Sequence, residues 1–513
     1  MTDYGFRDIL KSASVVGAGM IFSKGISLFA ETVVARELAA SEFGAAIFAY
    51  TILLTVGGIA LIGIPEGFTY YLSILDERDD TDTAFRIIIS GIVILTIVIA
   101  TSFLTIYIIP FPFIERFGIS REQWQWIKLL APLVIAYPVT QISFGIMRGY
   151  DRSAPKVLSG DILNKLIALG ALGIAIWQSS GILIFLSFYL GQYLLSGVFA
   201  GGYVIYLLKM KLTRVTKLDQ FNQDARRLFS YSWPLAFKNA TRRLLGNTDI
   251  VLVGALLASS AVGYYRVGYV ISQLGMITLI SITYLYTPRV ARRYDNNDHK
   301  GMEQLYRQAT KWSTLLTLPL IVPMLYFPDE IIQILFGAEY TAGSVVLTIL
   351  AADILFRVGM GPASATLQAI DRTRVDFATT IITMILNAGM SYILVSNLGI
   401  LGAAIGTFIS ILFMNTIQVL LVYRYTTLHP YTLRYVAGVF TLVTASIPVS
   451  LLTEFAVGDA VILSFDIPAI PFVFVAVFCI VELVIIWNSG LLSPDEKKSI
   501  LKILRDNRLP FIR

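Results

Sequence analysis

Long apolar segments separated by short polar connectors run along almost the whole chain. A run of about 20 mostly apolar residues predicts a membrane-spanning helix, because that length crosses a hydrocarbon core about 30 Å thick. Several of the runs contain Gly or Pro, which membrane helices tolerate, and Gly63–Gly67 predicts a kink in the second run. The pattern predicts fourteen spans, at 13–38, 44–74, 86–110, 123–147, 157–178, 182–207, 230–257, 262–287, 312–328, 344–369, 375–396, 400–423, 432–452 and 464–487.

The seventh predicted span carries more charge than a lipid-facing helix can hold. Lys238, Arg242, Arg243 and Asp249 all lie within it. A charge at the bilayer centre costs about 2.5–3.5 kcal/mol on insertion scales. At 100° per residue, Lys238, Arg242 and Asp249 share one helix face, and Arg243 lies beside it. The span therefore predicts a cationic stripe that faces an internal, anion-binding cavity, although Lys238 is near enough to the helix start to reach the membrane surface instead.

Composition places the chain among polytopic membrane proteins. Only 14% of the 513 residues are charged, and the mean hydropathy is +0.72. The basic residues lie in short connectors between spans, which argues against nucleic-acid binding. The single cysteine, Cys479, and the two histidines, His299 and His429, have no metal-ligand spacing. The sequence therefore predicts no metal ion, no cofactor and no nucleic-acid partner.

The basic residues also predict the orientation. With the N-terminus inside, and with basic residues near the end of a span counted in the adjoining segment, the cytoplasmic segments hold 29 of the 40 Lys and Arg residues and the external segments hold 4. The other 7 lie deeper within spans. This asymmetry predicts a cell-membrane protein with an even number of spans and both termini in the cytoplasm. The external loops are short, which argues against a membrane-bound glycan polymerase or ligase and predicts that the protein is not an enzyme.

Three short segments recur at almost one offset. Leu38–Gly44 matches Leu257–Gly263, the segment 150–153 (YDRS) matches 370–373 (IDRT), and 181–183 (GIL) matches 399–401 (GIL). An offset of six spans preserves orientation, so the repeats are parallel and related by an axis along the membrane normal.

The predicted fold is an all-α polytopic membrane protein with two six-helix lobes in a parallel pseudo-two-fold repeat, followed by two extra helices. The predicted domains are an N-terminal lobe (1–215), a C-terminal lobe (216–430), two added spans (431–490) and a cytoplasmic tail (491–513). The same offset aligns Lys24 of the first span with Arg243 of the seventh. Transporter substrate sites typically lie at repeat interfaces, so both cations are expected in one central cavity.

The span number, the repeats and the segment NLGILGAAIGT at 397–407 resemble one group of proteins. It is the polysaccharide-type (Wzx-like) flippases of the multidrug/oligosaccharidyl-lipid/polysaccharide exporter superfamily. The resemblance implies two lobes around a cavity, alternating access, and a polyprenyl (pyro)phosphate substrate that carries a sugar chain. It also implies cavity-facing cations on the first, seventh and eighth helices, which here are Lys24, Arg242 or Arg243, and Arg266.

Several polar residues within spans have two interpretations each. Lys24 and Glu31 form either a substrate site or an internal ion pair, and Arg266 binds either substrate or Asp249. The residues predicted to act in coupling or gating are Glu31, Glu66, Asp249, Asp353 and Arg357. For two of these sites the structural alternatives are a pairing of Asp353 with Arg357 and a hydrogen bond of Glu66 at the Pro65 kink.

The leading functional prediction is a flippase that moves a lipid-linked oligosaccharide from the cytoplasmic to the outer leaflet, for cell-surface polysaccharide or glycoprotein biosynthesis. The expected partners are a glycan on an undecaprenyl or dolichyl phosphate carrier and the membrane lipids. The protein itself is expected to be a monomer, alone or associated with glycan-assembly proteins. The alternative is a multidrug or cation antiporter of the same superfamily. Such an antiporter needs uncompensated acids in the cavity, whereas the charges deep in the spans are mainly basic.

Overall fold

A computed structural model describes residues 6–152, 164–177, 181–211, 220–457, 461–462, 467–492, 494 and 496–498, with the side chains of 6–19 and of part of the helix at 164–177 left out. Helices make up nearly all of these residues, as expected of a chain that must satisfy its backbone hydrogen bonds without water. The start of the fifth predicted span and most of the predicted cytoplasmic tail lie outside the described residues.

The described helices are α1 (Phe6–Glu37), α2 (Ala40–Ala60), α3 (Ile64–Glu77), α4 (Thr81–Ile108), α5 (Phe111–Glu115), α6 (Arg121–Leu130), α7 (Leu133–Gly149), α8 (Asn164–Trp177), α9 (Gly181–Tyr189), α10 (Gly191–Lys211), α11 (Phe221–Leu256), α12 (Ser259–Ser272), α13 (Met276–Asp295), α14 (His299–Tyr326), α15 (Pro328–Phe336), α16 (Ser344–Met360), α17 (Ala363–Ala369), α18 (Thr373–Leu398), α19 (Ile400–Thr426), α20 (Leu433–Val457) and α21 (Ile470–Asn488). Two 3-10 segments, Gln273–Gly275 and Ala338–Gly343, join neighbouring helices. Strands β1 (Val461–Ile462) and β2 (Ile467–Pro468) form an antiparallel pair with Val461 opposite Pro468.

The helical membrane fold predicted from the sequence is confirmed. In the described part of the chain, nine helical segments are long and apolar enough to cross a membrane, and eleven if each of two bent pairs counts as one span. The bent pairs are α6 with α7 (43°) and α14 with α15 (93°). Helices α1, α8 and α11 occupy the other three predicted spans without meeting that criterion.

The second predicted span, 44–74, is two helices rather than one kinked helix. Ile62 and Gly63 both have positive φ, 47° and 68°, which ends α2 and lets α3 start in a new direction. Pro65 follows within the first turn of α3, where its missing N–H costs nothing. A Cβ on Gly63 would overlap the backbone carbonyl oxygen of Ser232 on α11, so only glycine allows this contact.

Two compact units account for the chain. The N-terminal unit holds residues 26–263 and 395–399, and the C-terminal unit holds 1–25, 264–394 and 400–513. Helix α11 thus groups with the helices that precede it, since it packs on α2, α3 and α4. The repeat places a boundary at 215/216 instead, and this division into lobes stays a prediction.

In the N-terminal unit, the core lies between α3, α4, α7, α10 and α11. Phe68, Leu72, Ile87 and Met147 are fully or almost fully buried in it, and Leu228 joins it from α11.

A buried ion pair crosses the same region, with 2.6 Å between Arg86 Nε on α4 and Asp224 Oδ2 on α11. Arg86 also donates from Nη2 to Thr83 Oγ1 at 2.9 Å. These contacts fix the position of α11 along its neighbours.

In the C-terminal unit, two buried clusters follow the helices. One joins α13, α14, α17 and α19 around Tyr306 and Leu367. The other joins α14 to the added helices α20 and α21 around Leu318, Leu442 and Phe474. The last two helices are therefore packed against α14 by an apolar core of their own.

The YDRS and IDRT segments adopt the same turn. Asp151 and Asp371 have φ values of 53° and 59°, in the left-handed region that Asp tolerates better than most residues. In each copy the amide of the following Arg donates at 2.8 Å to a carbonyl five residues earlier, from Arg152 to Met147 and from Arg372 to Leu367. This is the hydrogen-bond pattern of a Schellman helix end. The sequence repeat thus corresponds to a repeated local structure.

Candidate functional site

A polar cavity of about 260 Å³ lies within the N-terminal unit. It is bordered by α2 and the segment after it, by the first turn of α3, by α7 and by the middle of α11. Its lining residues are Gly58, Leu61, Pro65, Glu66, Tyr137, Gln141, Asn239, Arg242 and Arg243. The break between α2 and α3 exposes a helix start to the cavity, which an unbroken span would not do.

Arg243 is held against one wall of this cavity by α7. Its Nη2 donates a hydrogen bond to the Tyr137 hydroxyl. Its guanidinium carbon lies 5.1 Å from the centroid of the Tyr137 ring, close enough for a cation–π interaction. A Cβ on Gly58 would overlap the same guanidinium. The absence of a side chain at Gly58 therefore gives Arg243 its place beside α2.

Arg242 has a different environment from Arg243. It is exposed, whereas Arg243 is half-buried, although both line the same cavity. Lys238 lies one turn earlier on α11 and is half-buried, and among the described residues it is not part of the cavity wall. The structure thus brings together two of the three cations of the predicted stripe. Their role in substrate binding stays a prediction.

Glu66 supplies the carboxylate of the cavity. It lies in the first turn of α3, directly after Pro65, and is half-buried. Asn239 Nδ2 donates a hydrogen bond to its Oε1 at 3.1 Å. The structural interpretation of Glu66, a hydrogen bond at the kink, is therefore confirmed. Its position in the cavity is also compatible with the coupling role, which stays a prediction.

Two other predicted acids are buried elsewhere in the N-terminal unit. Glu31 on α1 is 3% exposed, and Asp249 on α11 is 6% exposed. Neither lines the cavity formed by the described residues. A coupling or gating role for either residue stays a prediction.

The remaining predicted residues belong to the C-terminal unit. Lys24 on α1 is exposed. Arg266 on α12 places its guanidinium carbon 5.8 Å from the centroid of the Tyr269 ring. Arg357 Nη2 lies 2.5 Å from Asp353 Oδ2, one turn away on α16, so the predicted pairing is confirmed. Its function as a gate is untested, as are the substrate roles of Lys24 and Arg266.

Three polar lining residues were not predicted from the sequence: Tyr137, Gln141 and Asn239. Tyr137 and Gln141 are four residues apart and lie on one face of α7. Asn239 lies four residues before Arg243 on the same face of α11. Each is a polar residue inside an otherwise apolar span, and that pattern is the signal that could have found them.

The charges that line the cavity are two guanidinium groups and one carboxylate, which leaves a net positive site. Arginine offers planar, forked donors that match the oxygens of a phosphate or carboxylate. Gln141 and Asn239 add amide groups that can donate or accept hydrogen bonds. Among the described residues, no group of three or more His, Cys, Asp or Glu side chains could hold a metal ion. The arrangement is suited to binding an anion.

Two protein families match parts of the chain. The sequence profile of the "Polysaccharide biosynthesis protein" family matches residues 9–292, which is more than half of the chain. The profile of the MatE family matches residues 234–393.

One related protein is named as a flippase. The probable low-salt glycan biosynthesis flippase Agl15 of Haloferax volcanii is 24% identical over 404 residues, which cover 79% of this chain and 81% of that protein.

Two solved structures have the same fold. The lipid II flippase MurJ, in an inward closed conformation, has a TM-score of 0.70 at 17% identity and covers 92% of this chain and 99% of its own. An inward-facing MATE-family multidrug transporter has a TM-score of 0.65 at 16% identity, with 80% and 98% covered. Because the family profile covers more than half of the chain, we conclude that the chain belongs to the polysaccharide biosynthesis protein family.

Proposed function

We propose that the protein is a flippase that moves a polyprenyl-(pyro)phosphate-linked oligosaccharide from the cytoplasmic to the outer leaflet. The observation that carries the proposal is the placement of Arg242 and Arg243 in one polar cavity within a membrane-spanning bundle. A lipid-linked oligosaccharide has an anionic phosphate at the junction of its tail and its sugars. Two guanidinium groups in one cavity can bind such a group. The protein acts as a transporter and not as an enzyme.

The relatives support the same substrate class. Agl15 is named a probable glycan biosynthesis flippase, and MurJ is a flippase of lipid II. The carrier is accordingly an undecaprenyl or dolichyl phosphate or pyrophosphate, and the glycan serves cell-surface polysaccharide or glycoprotein biosynthesis. The protein is located in the cell membrane with both termini in the cytoplasm and works as a monomer.

The size of the cavity indicates which part of the substrate it holds. Its volume of about 260 Å³ is below the range of about 300–1,000 Å³ that is typical for drug-sized ligands. A phosphate group fits this space, whereas a sugar chain needs more room. The two arginines therefore bind the phosphate, and the glycan and the prenyl tail extend out of the cavity.

The remaining cations provide further contacts during the transport cycle. Lys24, Lys238 and Arg266 bind the phosphate or the sugars at other stages of alternating access. An inside-negative potential favours outward movement of an anion by about 2.3 kcal/mol per charge per 100 mV. Glu31, Glu66, Asp249 and the Asp353–Arg357 pair take part in coupling or gating.

A transport assay tests the proposal. The purified protein is reconstituted into vesicles with a fluorescent lipid-linked oligosaccharide, and the fraction that reaches the opposite leaflet is followed over time. We expect the double variant Arg242→Ala/Arg243→Ala to lower the initial rate by about tenfold or more, since a hydrogen bond to a charged group contributes about 1.5–3 kcal/mol. The control is Arg226→Ala, which removes an exposed arginine from the same helix outside the cavity. Unchanged transport by a correctly folded double variant would refute the proposal.

Within the cavity, Glu66 is the residue that favours the antiporter alternative, because a carboxylate in a membrane cavity can bind a cation. The same vesicles separate the two functions. A flippase moves the labelled lipid without a cationic drug present and accumulates no cationic dye. An antiporter accumulates a cationic dye, and Glu66→Gln abolishes the accumulation.

A further inference from the structure

A second cavity, of about 200 Å³, lies within the C-terminal unit. It is formed by the start of α14, the start of α20 and the segment after α21. Its lining residues are Arg307, Gln308, Lys311, Pro430, Thr432, Arg434, Tyr435, Gly490, Leu491 and Glu496. The proposed transport function does not use these residues, so their chemistry needs a separate explanation.

Basic side chains predominate in this cavity. Lys311 Nζ donates to both carboxylate oxygens of Glu496, at 2.7 and 2.8 Å. Arg307 pairs with Glu303 at 2.6 Å and also contacts the His429 ring nitrogen Nε2 at 3.1 Å. Arg307 and Lys311 thus each pair with a carboxylate, and both add positive potential to the cavity.

Arg434 has no acidic neighbour of this kind. Its side chain is exposed, it lines the cavity, and within the described part of the chain it forms no ion pair. Among the described residues, Arg434 is thus a cation without an acidic partner, whereas Arg307 and Lys311 each pair with a different carboxylate. The local charge is positive and favours an anion.

The start of helix α20 adds backbone donors to the same wall. Thr432 caps this 25-residue helix, because its Oγ1 accepts from the Tyr435 amide at 3.1 Å. The amides of Leu433 and Arg434 lie in the first turn, where no intrahelical acceptor is available. A helix start of this kind, next to basic side chains, is suited to binding a phosphate group.

The predicted orientation puts the cavity near the cytoplasmic surface of the membrane. Arg307 and Lys311 precede the ninth predicted span, Pro430 precedes the thirteenth, and Glu496 lies in the predicted cytoplasmic tail. The Lys311 ammonium lies 5.5 Å from the Trp312 ring centroid, and that of Lys497 lies 5.3 Å from the Trp487 ring centroid. Aromatic and basic side chains combine in this way where a membrane meets water.

We propose that this cavity binds a phosphate group at the cytoplasmic surface, carried by an anionic membrane lipid or by a free phosphate. Arg434 and the first-turn amides of α20 are its donors. Lys311 holds Glu496 at the opposite part of the wall. With about 200 Å³ of space, the site accepts a headgroup phosphate and excludes an oligosaccharide.

Thermal unfolding of the full-length protein in a neutral detergent tests this site. The midpoint is measured during titration with short-chain phosphatidylglycerol, short-chain phosphatidylcholine or inorganic phosphate. We expect phosphatidylglycerol to raise the midpoint, and Arg434→Gln to require roughly fivefold more of it, the effect expected for one basic residue at a membrane surface. Arg434→Lys, which keeps the charge, retains most of the response.

The three titrations also identify the source of the phosphate. A response to inorganic phosphate that Arg434→Gln weakens shows that the free anion suffices, and a response to phosphatidylglycerol alone shows that a lipid is required. The matched control is Arg424→Gln, which removes an exposed arginine near the same membrane surface but outside the cavity. The proposal is wrong if Arg434→Gln responds like the unmodified protein, if Arg424→Gln weakens the response equally, or if phosphatidylcholine acts as well as phosphatidylglycerol.

Discussion

Gly44 and Gly263 hold equivalent positions in the two copies of the Leu38–Gly44 repeat, and each packs against the copy that contains the other. A Cβ on Gly44 would overlap the carbonyl oxygen of Ser259, and a Cβ on Gly263 would lie 2.7 Å from the carbonyl oxygen of Ala40. Ser259 and Ala40 are themselves equivalent in the repeat. Such reciprocal contacts are expected when two segments are related by a two-fold axis, here α2 and the start of α12.

This close approach predicts how the two glycines respond to substitution. Gly44→Ala and Gly263→Ala each force the helix backbones apart, and we expect each to lower the unfolding free energy by about 1–3 kcal/mol, with Gly44→Ala the more severe. Thermal unfolding in detergent measures this. Gly202→Ala on α10 is the control, because no atom lies within 4 Å of its added Cβ. It should be neutral or stabilise by up to about 1 kcal/mol, and equal loss in all three variants would contradict the prediction.

A side chain at position 58 is expected to reduce transport without reducing stability. Its added Cβ would meet the guanidinium of Arg243, a flexible side chain that can move away. We therefore expect Gly58→Ala to keep the thermal midpoint and to reduce lipid-linked oligosaccharide transport, because Arg243 loses its position in the cavity. Gly57→Ala is the matched control, since its nearest neighbour is the Tyr137 ring at an ordinary 3.4 Å. Normal transport by Gly58→Ala would argue that the position of Arg243 is unimportant.

Tyr137 offers Arg243 both a hydroxyl and a ring, and substitutions separate the two. Tyr137→Phe keeps the cation–π contact and removes the hydrogen bond, so we expect transport to fall by roughly tenfold. Tyr137→Leu removes both contacts and should lower transport further. Tyr193→Phe serves as the control, because Tyr193 packs edge-on against Tyr137 with ring centroids 5.3 Å apart and lies outside the cavity wall. If Tyr137→Phe and Tyr193→Phe have the same rate, the hydroxyl does not position Arg243.

Substitutions of the Asp353–Arg357 ion pair can separate its contribution to stability from a role in transport. Asp353 is 2% exposed, so Arg357→Met leaves a buried charge without its partner and should lower the unfolding free energy by about 3–5 kcal/mol. Asp353→Asn together with Arg357→Met removes both charges and should regain most of that stability. If the pair opens as a gate, transport by the double variant stays low. Recovery of transport together with stability would assign the pair to packing alone.

Features that depend on local sequence were predictable. The apolar runs coincide with helices, and the Asp353–Arg357 contact follows from a spacing of four residues on one helix. A kink at Gly63–Gly67 was expected, but the end of α2 at Ala60 and the positive φ of Ile62 were not. Two consecutive left-handed residues depend on the close contact with α11, which the sequence of the second span does not contain.

Features that depend on which helices pack together could not be predicted from the sequence. The sequence indicated that Arg242 and Arg243 face a cavity, since four charges in one span require an explanation. It did not indicate Tyr137 or Asn239 as their neighbours. The hydrogen bond from Arg243 to Tyr137 joins residues 106 positions apart, and the one from Asn239 to Glu66 joins residues 173 positions apart. The alignment of Lys24 with Arg243 stays a prediction.

The polarity of α11 has a consequence for biogenesis. With Lys238, Arg242, Arg243 and Asp249 at about 2.5–3.5 kcal/mol each near a helix centre, its partition from the translocon into lipid as an isolated helix is unfavourable. Helices α2, α3 and α4 precede it in the chain and supply Gly58, Glu66 and Arg86 as its contacts. They must still be near the translocon when α11 is made. Membrane insertion and tertiary folding are therefore one coupled step in this part of the chain.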